Sequence, residues 1–465
     1  MNTSLAQLNH TKHMLPFGGK VILLDTGAII DAEAEAMLQA LHSRSAKGIE
    51  DHLLILEERG SEKFMANFYV GYGHKSIGDC GSVTLFIEGV SMLVAKAIQD
   101  WQLYSGQESS TRYIDFAEQE FRDPIGSLLS SEILEVWRVF YVNSKEELLA
   151  HLRSQFPRKE TEVEETYEKA IAARSFDILR GFLPAGATTN LAWHTNLRQA
   201  ADKLCWLRNH PLKEVREVAE GIQAVLMERY PSSFGHKTYP ASEQYYAEAM
   251  CEHAYFNGGN EFHSLGNNGG LGAIFNVSEA MLERYENIMS LRPAKTELPK
   301  ILNECGTIQF SFLLDFGSFR DVQRHRAVTQ QMPLIGTRYG FEEWYLRELP
   351  ESLRATAATL LTQQRDRLSK LSYGGVSETE LQYYVAMGYL TPNRITGGLP
   401  ALVYLVELRA TRFVHPTLRH RAKQMAESLK NAFGDHGLIL HLDPEPDRFD
   451  VKRGEHDIQL KDVAA

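Results

Sequence analysis

Cysteine is scarce in this 465-residue chain: Cys80, Cys205, Cys251 and Cys305 are the only four, and no two form a C-x-x-C pair. So few thiols cannot staple a chain of this length and offer no zinc knuckle, so they read as reduced, mostly buried residues. Positive charge is also in deficit, with 49 Lys and Arg against 60 Asp and Glu and a formal net charge of −11. No overall positive field draws in nucleic acid or a membrane surface, and any anionic ligand must be held by local arginines. Long apolar runs are missing too. The longest, residues 83–98, is interrupted by Glu88 and Lys96 and is too short to span a bilayer. The start, Met1-Asn2-Thr3-Ser4-Leu5, lacks the basic and apolar pattern of a secretory signal. A cytoplasmic protein with no nucleic-acid or membrane partner is expected. The glycine-rich stretch 256–270 has no G-x-x-x-x-G-K-[ST] pattern and reads as a connection. What remains is ordinary globular composition, 43% hydrophobic and 23% charged, which excludes disordered and collagenous chains.

The chain echoes itself. Cys80-Gly81-Ser82-Val83 leads to Thr111-Arg112-Tyr113, and Cys305-Gly306-Thr307-Ile308 leads to Thr337-Arg338-Tyr339, over spans of 33 and 34 positions. His210-Pro211 with Arg216, and His415-Pro416 with Arg421, share an H-P-x-x-x-x-R pattern in the same order. Tandem duplication accounts for both matches. The break falls near residues 230–235, which gives domains of 1–235 and 236–465. In each, a β-prone run (83–87; 308–313) precedes a helix-prone stretch (91–101; 318–326), then a polar loop. Amphipathic helices follow at 162–180, 197–207 and 212–229, and at 351–371, 399–412 and 417–433. The expected class is α+β, each half a β-sheet flanked by helices.

The densest cationic cluster is Arg320-Asp321-Val322-Gln323-Arg324-His325-Arg326. Two guanidiniums beside an imidazole offer planar, bidentate donors for phosphate or carboxylate. A solvated helix C-terminus answering the macrodipole is the plainer alternative. In the first half the corresponding loop, 101–113, offers Ser, Gly and Arg that could hold a phosphate, or form a surface turn.

Both halves resemble the flavin-dependent thymidylate synthases, whose signature is R-H-R, seven residues, Ser, and an Arg two residues later. The resemblance runs from about residue 21 to 234 and more loosely from 278 to 434, and it divides the signature. The first half has Asp100-Trp101-Gln102 in place of R-H-R but keeps Glu108, Ser110 and Arg112, which match positions at the pyrimidine nucleotide. The second half keeps Arg324-His325-Arg326, with Leu334 in place of Ser and Arg338 two positions late. Further matches are His74, Ser76 and Asp79 in a G-H-x-[ST]-x-x-E-like segment near the flavin, with Asp79 replacing Glu. Arg180 matches an R-x-x-L-P segment that grips the nucleotide, and Asn196 and Arg198 an N-x-R flavin contact. Leu207-Arg208 and Leu408-Arg409 resemble an L-R pair beside the reacting uracil.

The resemblance implies C5-methylation of deoxyuridylate with FAD as cofactor and NADPH and methylenetetrahydrofolate as co-substrates. The implied catalytic residues are Arg409, Ser110 and Arg324, with Ser110 orienting the substrate. The implied substrate contacts are Glu108, Ser110, Arg112, Arg180, Arg208 and Arg338. Flavin contacts would be His74, Ser76, Asp79, Asn196, Arg198, Arg324, His325 and Arg326. A homodimer forming a pseudo-tetramer would unite the divided signature in about two competent sites. Two other readings stand beside this: action on another uracil nucleotide, since residues 329–334 differ, or a non-catalytic nucleotide- or flavin-binding protein. No metal site is assigned. His436, His441 and Asp443 read as a terminal β-hairpin, His415 and His420 lack a carboxylate at ligand spacing, and the acidic run 160–168 reads as a solvated helix face.

Overall fold

The computed structural model describes residues 10–24, 30–45, 47–109, 114, 116–254, 270–445 and 451. The chain is α+β, with two antiparallel sheets in two compact units: Met1–Ile114 with Thr188–Ala254, and Asp115–Ala187 with Tyr255–Ala465. Among the described residues no helix is long and apolar enough to cross a membrane.

The first unit holds five strands, β1 (His10–Met14), β2 (Lys20–Leu24), β3 (Ser82–Ser91), β4 (Ser105–Glu108) and β5 (Thr188–Asn196), in the order β1-β2-β3-β5-β4. Val83, Leu85 and Ile87 alternate into the core while Ser82 and Phe86 face out, the period-2 pattern of a half-buried strand. A bulge between Ile87 and Val90, where Gly89 takes φ +65°, re-aims the end of β3 so that Ser91 caps the helix Met92–Gln99.

The second unit holds β6 (Leu271–Val277), β7 (Gly306–Asp315), β8 (Thr329–Gln331) and β9 (Leu390–Gly397), in the order β6-β7-β9-β8. This repeats β2-β3-β5-β4, and the register matches up to the β3 bulge. Val83 pairs with Thr195 as Ile308 pairs with Gly397, and Gly106 pairs with Trp193 as Gln330 pairs with Ile395. The repeated Cys-Gly has a steric reason. A Cβ on Gly81 would lie 2.1 Å from the Ala32 carbonyl oxygen, and one on Gly306 2.0 Å from that of Asn276.

The second unit also contains the helices Leu128–Gln155 and Glu164–Leu179, which precede position 235 in sequence. Leu128–Gln155 packs along Glu351–Tyr373, where Gln364 Nε2 donates to the Ile133 carbonyl at 2.8 Å. Beyond them the chain pairs with its own repeat. Ala185 N donates to Val385 O (2.9 Å) and Met387 N to Leu183 O (2.8 Å); Gly186 N donates to Tyr383 O (2.9 Å) and Gly388 N to Gly181 O (2.8 Å). A shift of 202 residues exchanges the members of each pair, so residues 180–187 and 382–389 meet about a local two-fold.

Candidate functional site

In the second unit β7 ends at Asp315, whose side chain accepts from Ser318 N at 2.9 Å and starts the helix Phe316–Val322. The helix is shorter than the 318–326 expected from sequence, because the chain turns at Gln323. Gln330 Nε2 donates to the carbonyls of Val322 (3.0 Å), Gln323 (3.3 Å) and His325 (3.4 Å), satisfying groups that a longer helix would have used. The turn exposes Arg324 and Arg326 and buries His325 between them.

His325 is tied to the helix Leu399–Arg409: Arg409 Nε donates to His325 Nε2 at 2.9 Å. A guanidinium only donates, so Nε2 is the acceptor and the neutral ring carries its proton on Nδ1. Burial first, and the Arg409 charge second, push the His325 pKa down to about 3. The pKa of Arg409 is lowered as well, chiefly by burial, with Asp321 opposing and Arg324 adding to the effect. The turn therefore presents two exposed guanidiniums around a neutral, fixed imidazole.

Arg180 lies in the same unit but faces inward. It is 6% exposed, and its Nη2 donates to Asp321 Oδ2 (3.3 Å) and Ser318 Oγ (3.4 Å). Burial works against its charge, but Asp321, Tyr345, Asp177 and Asp315 outweigh it and raise the pKa. Arg338 is exposed, its guanidinium 5.6 Å from the centre of the Tyr339 ring. Leu334 is half-buried between the buried Met332 and Ile335. Among the described residues no β-hairpin forms around His436 and Asp443, contrary to the sequence expectation. Gly434–His436 is a turn of 3-10 helix, and an extended strap follows, held by side chains instead of a partner strand.

The first unit fills the equivalent positions differently. The register of β4 and β8 aligns Asp100-Trp101-Gln102 with Arg324-His325-Arg326. Lys203 Nζ donates to the Asp100 carbonyl at 2.9 Å and lies 5.4 Å from the Trp101 ring centre, while Trp101 Nε1 donates to Gln199 Oε1 at 3.3 Å. Burial pushes the Lys203 pKa down to about 8. The helices Leu197–Leu207 and Leu399–Arg409 have the same length and place. They set Leu207 opposite Arg409 and Lys203 opposite Leu405, so each half sends one cation to its signature turn from positions one helical turn apart. The two L-R pairs are accordingly one residue out of step: Arg208 falls opposite Ala410 and forms a two-pronged ion pair with Glu243.

Of the other expected residues, Glu108 accepts from Gln99 Nε2 at 2.7 Å, and Ser110 and Arg112 lie outside the described residues. Asp79 and Arg198 pair at 2.7 Å, and Asn196 caps the helix that begins at Leu197. His74 is exposed and accepts from Arg44 Nη2 through Nδ1 at 3.1 Å; Ser76 is exposed two residues on. His74 follows a π-helical turn, Met65–Gly71, and its ring lies 6.2 Å from Tyr72 in a stacked orientation. Such turns recur at functional sites. Sequence reasoning missed Gln330, which belongs to no signature. It also missed Lys203, whose signal is a lone Lys on the apolar stripe of Leu197, Ala200, Leu204 and Leu207.

Residues 28–232 match the family described as thymidylate synthase complementing protein. That match covers less than half of the chain. The chain is also similar to the UPF0159 protein of Chlamydia muridarum, with 28% identity over 432 aligned residues covering 80% of each chain. The UPF0159 protein of Thermoplasma acidophilum is 22% identical over 90% of this chain and 96% of its own. Both alignments outrun the 28–232 segment, so the likeness continues into the second half. The thymidylate synthase complementing segment contains His74, Ser76, Asp79, Glu108, Ser110, Arg112, Arg180, Asn196, Arg198 and Arg208. The Arg324-His325-Arg326 turn, Arg338 and Arg409 lie beyond it.

Proposed function

We propose that this chain is a tandem-duplicated, FAD-dependent thymidylate synthase that methylates deoxyuridylate at C5, with methylenetetrahydrofolate and NADPH as co-substrates. The observation that carries this reading is the Arg324-His325-Arg326 turn with its imidazole fixed by Arg409. Two exposed guanidiniums around a buried neutral ring suit the diphosphate of a dinucleotide cofactor, so the donor set fits FAD. When bound, the flavin supplies the redox chemistry. The protein's share is to bind, orient and stabilise charge. Arg324 and Arg326 would hold the diphosphate, with His325 between them. Arg409 would donate toward a uracil carbonyl as negative charge develops there. Ser110, Arg112 and Glu108 would orient the nucleotide, and His74, Ser76, Asp79, Asn196 and Arg198 would contribute to the flavin site. Arg180, Arg208 and Arg338 remain candidates for nucleotide contact. Action on another uracil nucleotide is the near alternative, since Leu334 replaces the signature Ser.

One specific observation favours a second reading, a non-catalytic binding protein: Lys203 and Trp101 satisfy one another where the first half has lost R-H-R. Purified protein separates the two. The enzyme takes up FAD and releases tritium from C5-labelled deoxyuridylate in the presence of both co-substrates, and Arg324→Ala abolishes the release. A protein that binds FAD or nucleotide without tritium release is the second; one that binds neither overturns both.

A further inference from the structure

Arg409 stands at the last turn of its helix, and the residues on either side of it are gripped by the C-terminal strap. On one side, His441 N donates to Glu407 Oε1 at 2.7 Å. Arg292 pairs with the same carboxylate, donates through Nη2 to Ile439 O at 2.8 Å, and receives His441 Nε2 at its own carbonyl at 2.9 Å. On the other side, Asp443 Oδ2 accepts from both Arg412 N (2.8 Å) and Arg412 Nε (3.1 Å). Arg419, 1% exposed, donates through Nε to Ala410 O at 2.8 Å and through Nη2 to Glu445 O at 2.6 Å. The strap thus fixes positions 407, 410 and 412, and the residue it brackets is Arg409. These ties also explain why the helix stops at 409 and not at the 412 expected from sequence.

We infer that the strap 438–445 is a positioning device for the anion-binding turn, with Asp443 and Glu407 holding Arg409 in reach of His325. The inference rests on the reading of this turn as the flavin-diphosphate site for its consequence, but not for its geometry. Asp443 is a positioning residue acting through Arg412. Removing its charge-assisted bonds frees the helix end, lets Arg409 leave the imidazole, and weakens anion binding without touching the anion.

The test uses the full chain labelled with ¹⁵N-histidine, the His325 signals being assigned by their loss in His325→Gln. In the wild type the ring shows the neutral form protonated at Nδ1. Asp443→Asn is expected to convert it to a mixture of tautomers and to lower FAD affinity about tenfold, and Asp443→Glu to restore much of both. Thermal melts of each variant at the same pH report whether the fold is kept. An Asp443→Asn protein with a wild-type melt and an unchanged His325 spectrum overturns the inference. Should that variant fail to fold, Glu407→Gln is read the same way from the other side of the bracket. If the wild type binds no FAD but the His325 spectrum changes as expected, the positioning stands and the flavin reading falls.

Discussion

The two signature turns occupy the same place in two sheets whose register matches up to the β3 bulge, and they show two ways to treat one position. In the second half, Arg324-His325-Arg326 keeps its charges outward and fixes its imidazole from behind with Arg409. In the first half, at Asp100-Trp101-Gln102, the Asp100 carbonyl and the half-buried Trp101 ring take up Lys203, and Asp100 stands where the other turn has Arg324. The backbone is retained and the chemistry exchanged. A strand register can thus outlast the function of the loop it supports, because register is set by a buried apolar face that the loop does not share. After each helix a later carboxylate clamps an arginine, Glu243 on Arg208 and Asp443 on Arg412, so this arrangement too is repeated with different residues.

The largest expected difference between the turns is in cofactor affinity. Arg324→Ala should weaken FAD binding by about 100-fold, the loss of a charge-assisted contact worth roughly 2–3 kcal/mol. Asp100→Ala should change it by less than about twofold. Fluorescence titration of both variants checks this, and equal effects would break the comparison. Next comes a pair at one register position, Gly106 and Gln330. A Cβ on Gly106 would sit 2.0 Å from the Ala192 carbonyl oxygen, so Gly106→Ala should cost about 2.5 kcal/mol of stability. Gln330→Ala should cost about 1 kcal/mol through its lost carbonyl ties. Denaturant melts that reversed this order would contradict the assignment.

The two turns should also answer pH in the same direction but in separate windows, stability rising with pH through an acid range for one and an alkaline range for the other. His325 has a folded pKa near 3, below the ordinary 6.5, so its contribution is complete above pH 6.5 and is lost as pH falls toward 3. Between pH 6.5 and 5 the loss should be about 2 kcal/mol, and His325→Gln should remove that share. His210 in the first unit, also pushed down to about 3 by burial, contributes its own acid loss and is the internal control. Lys203 works on the alkaline side. Its folded pKa of about 8 lies below the ordinary 10.5, so stability rises between pH 8 and 10.5 as the unfolded chain keeps the proton that the folded chain releases. Lys203→Met should abolish that rise, leave FAD binding unchanged, and alter stability at pH 7 by only about 1 kcal/mol.

Much of the fold was legible in sequence where a periodic face or a forced glycine left a mark. The helix 197–207 and the strand beginning near 308 were read closely, and the Cys-Gly repeats marked strand starts that admit no side chain. Helix ends were read less well. The helix expected at 318–326 stops at Val322 because Gln330, in the next strand, takes the carbonyls, and the one expected to reach 412 stops at Arg409 because Asp443 takes the Arg412 amide. Both are long-range polar capping, invisible to local propensity. The weak, short β1 and β2 and the long helix Leu128–Gln155 were not anticipated, nor was the pairing of residues 180–187 with 382–389, a contact within the second unit between segments 202 positions apart. At the site, the division of the signature was readable residue by residue. The one-turn exchange of Lys203 for Arg409 was not, because it is defined by which side chain reaches the loop and not by spacing.

The central claim is that each chain retains one competent flavin-diphosphate turn and has closed the other. Flavin stoichiometry on the purified, fully loaded protein, from the absorbance of released FAD against protein concentration, tests it directly. One FAD per chain is the expected result. Two per chain, one for each half, would contradict the account.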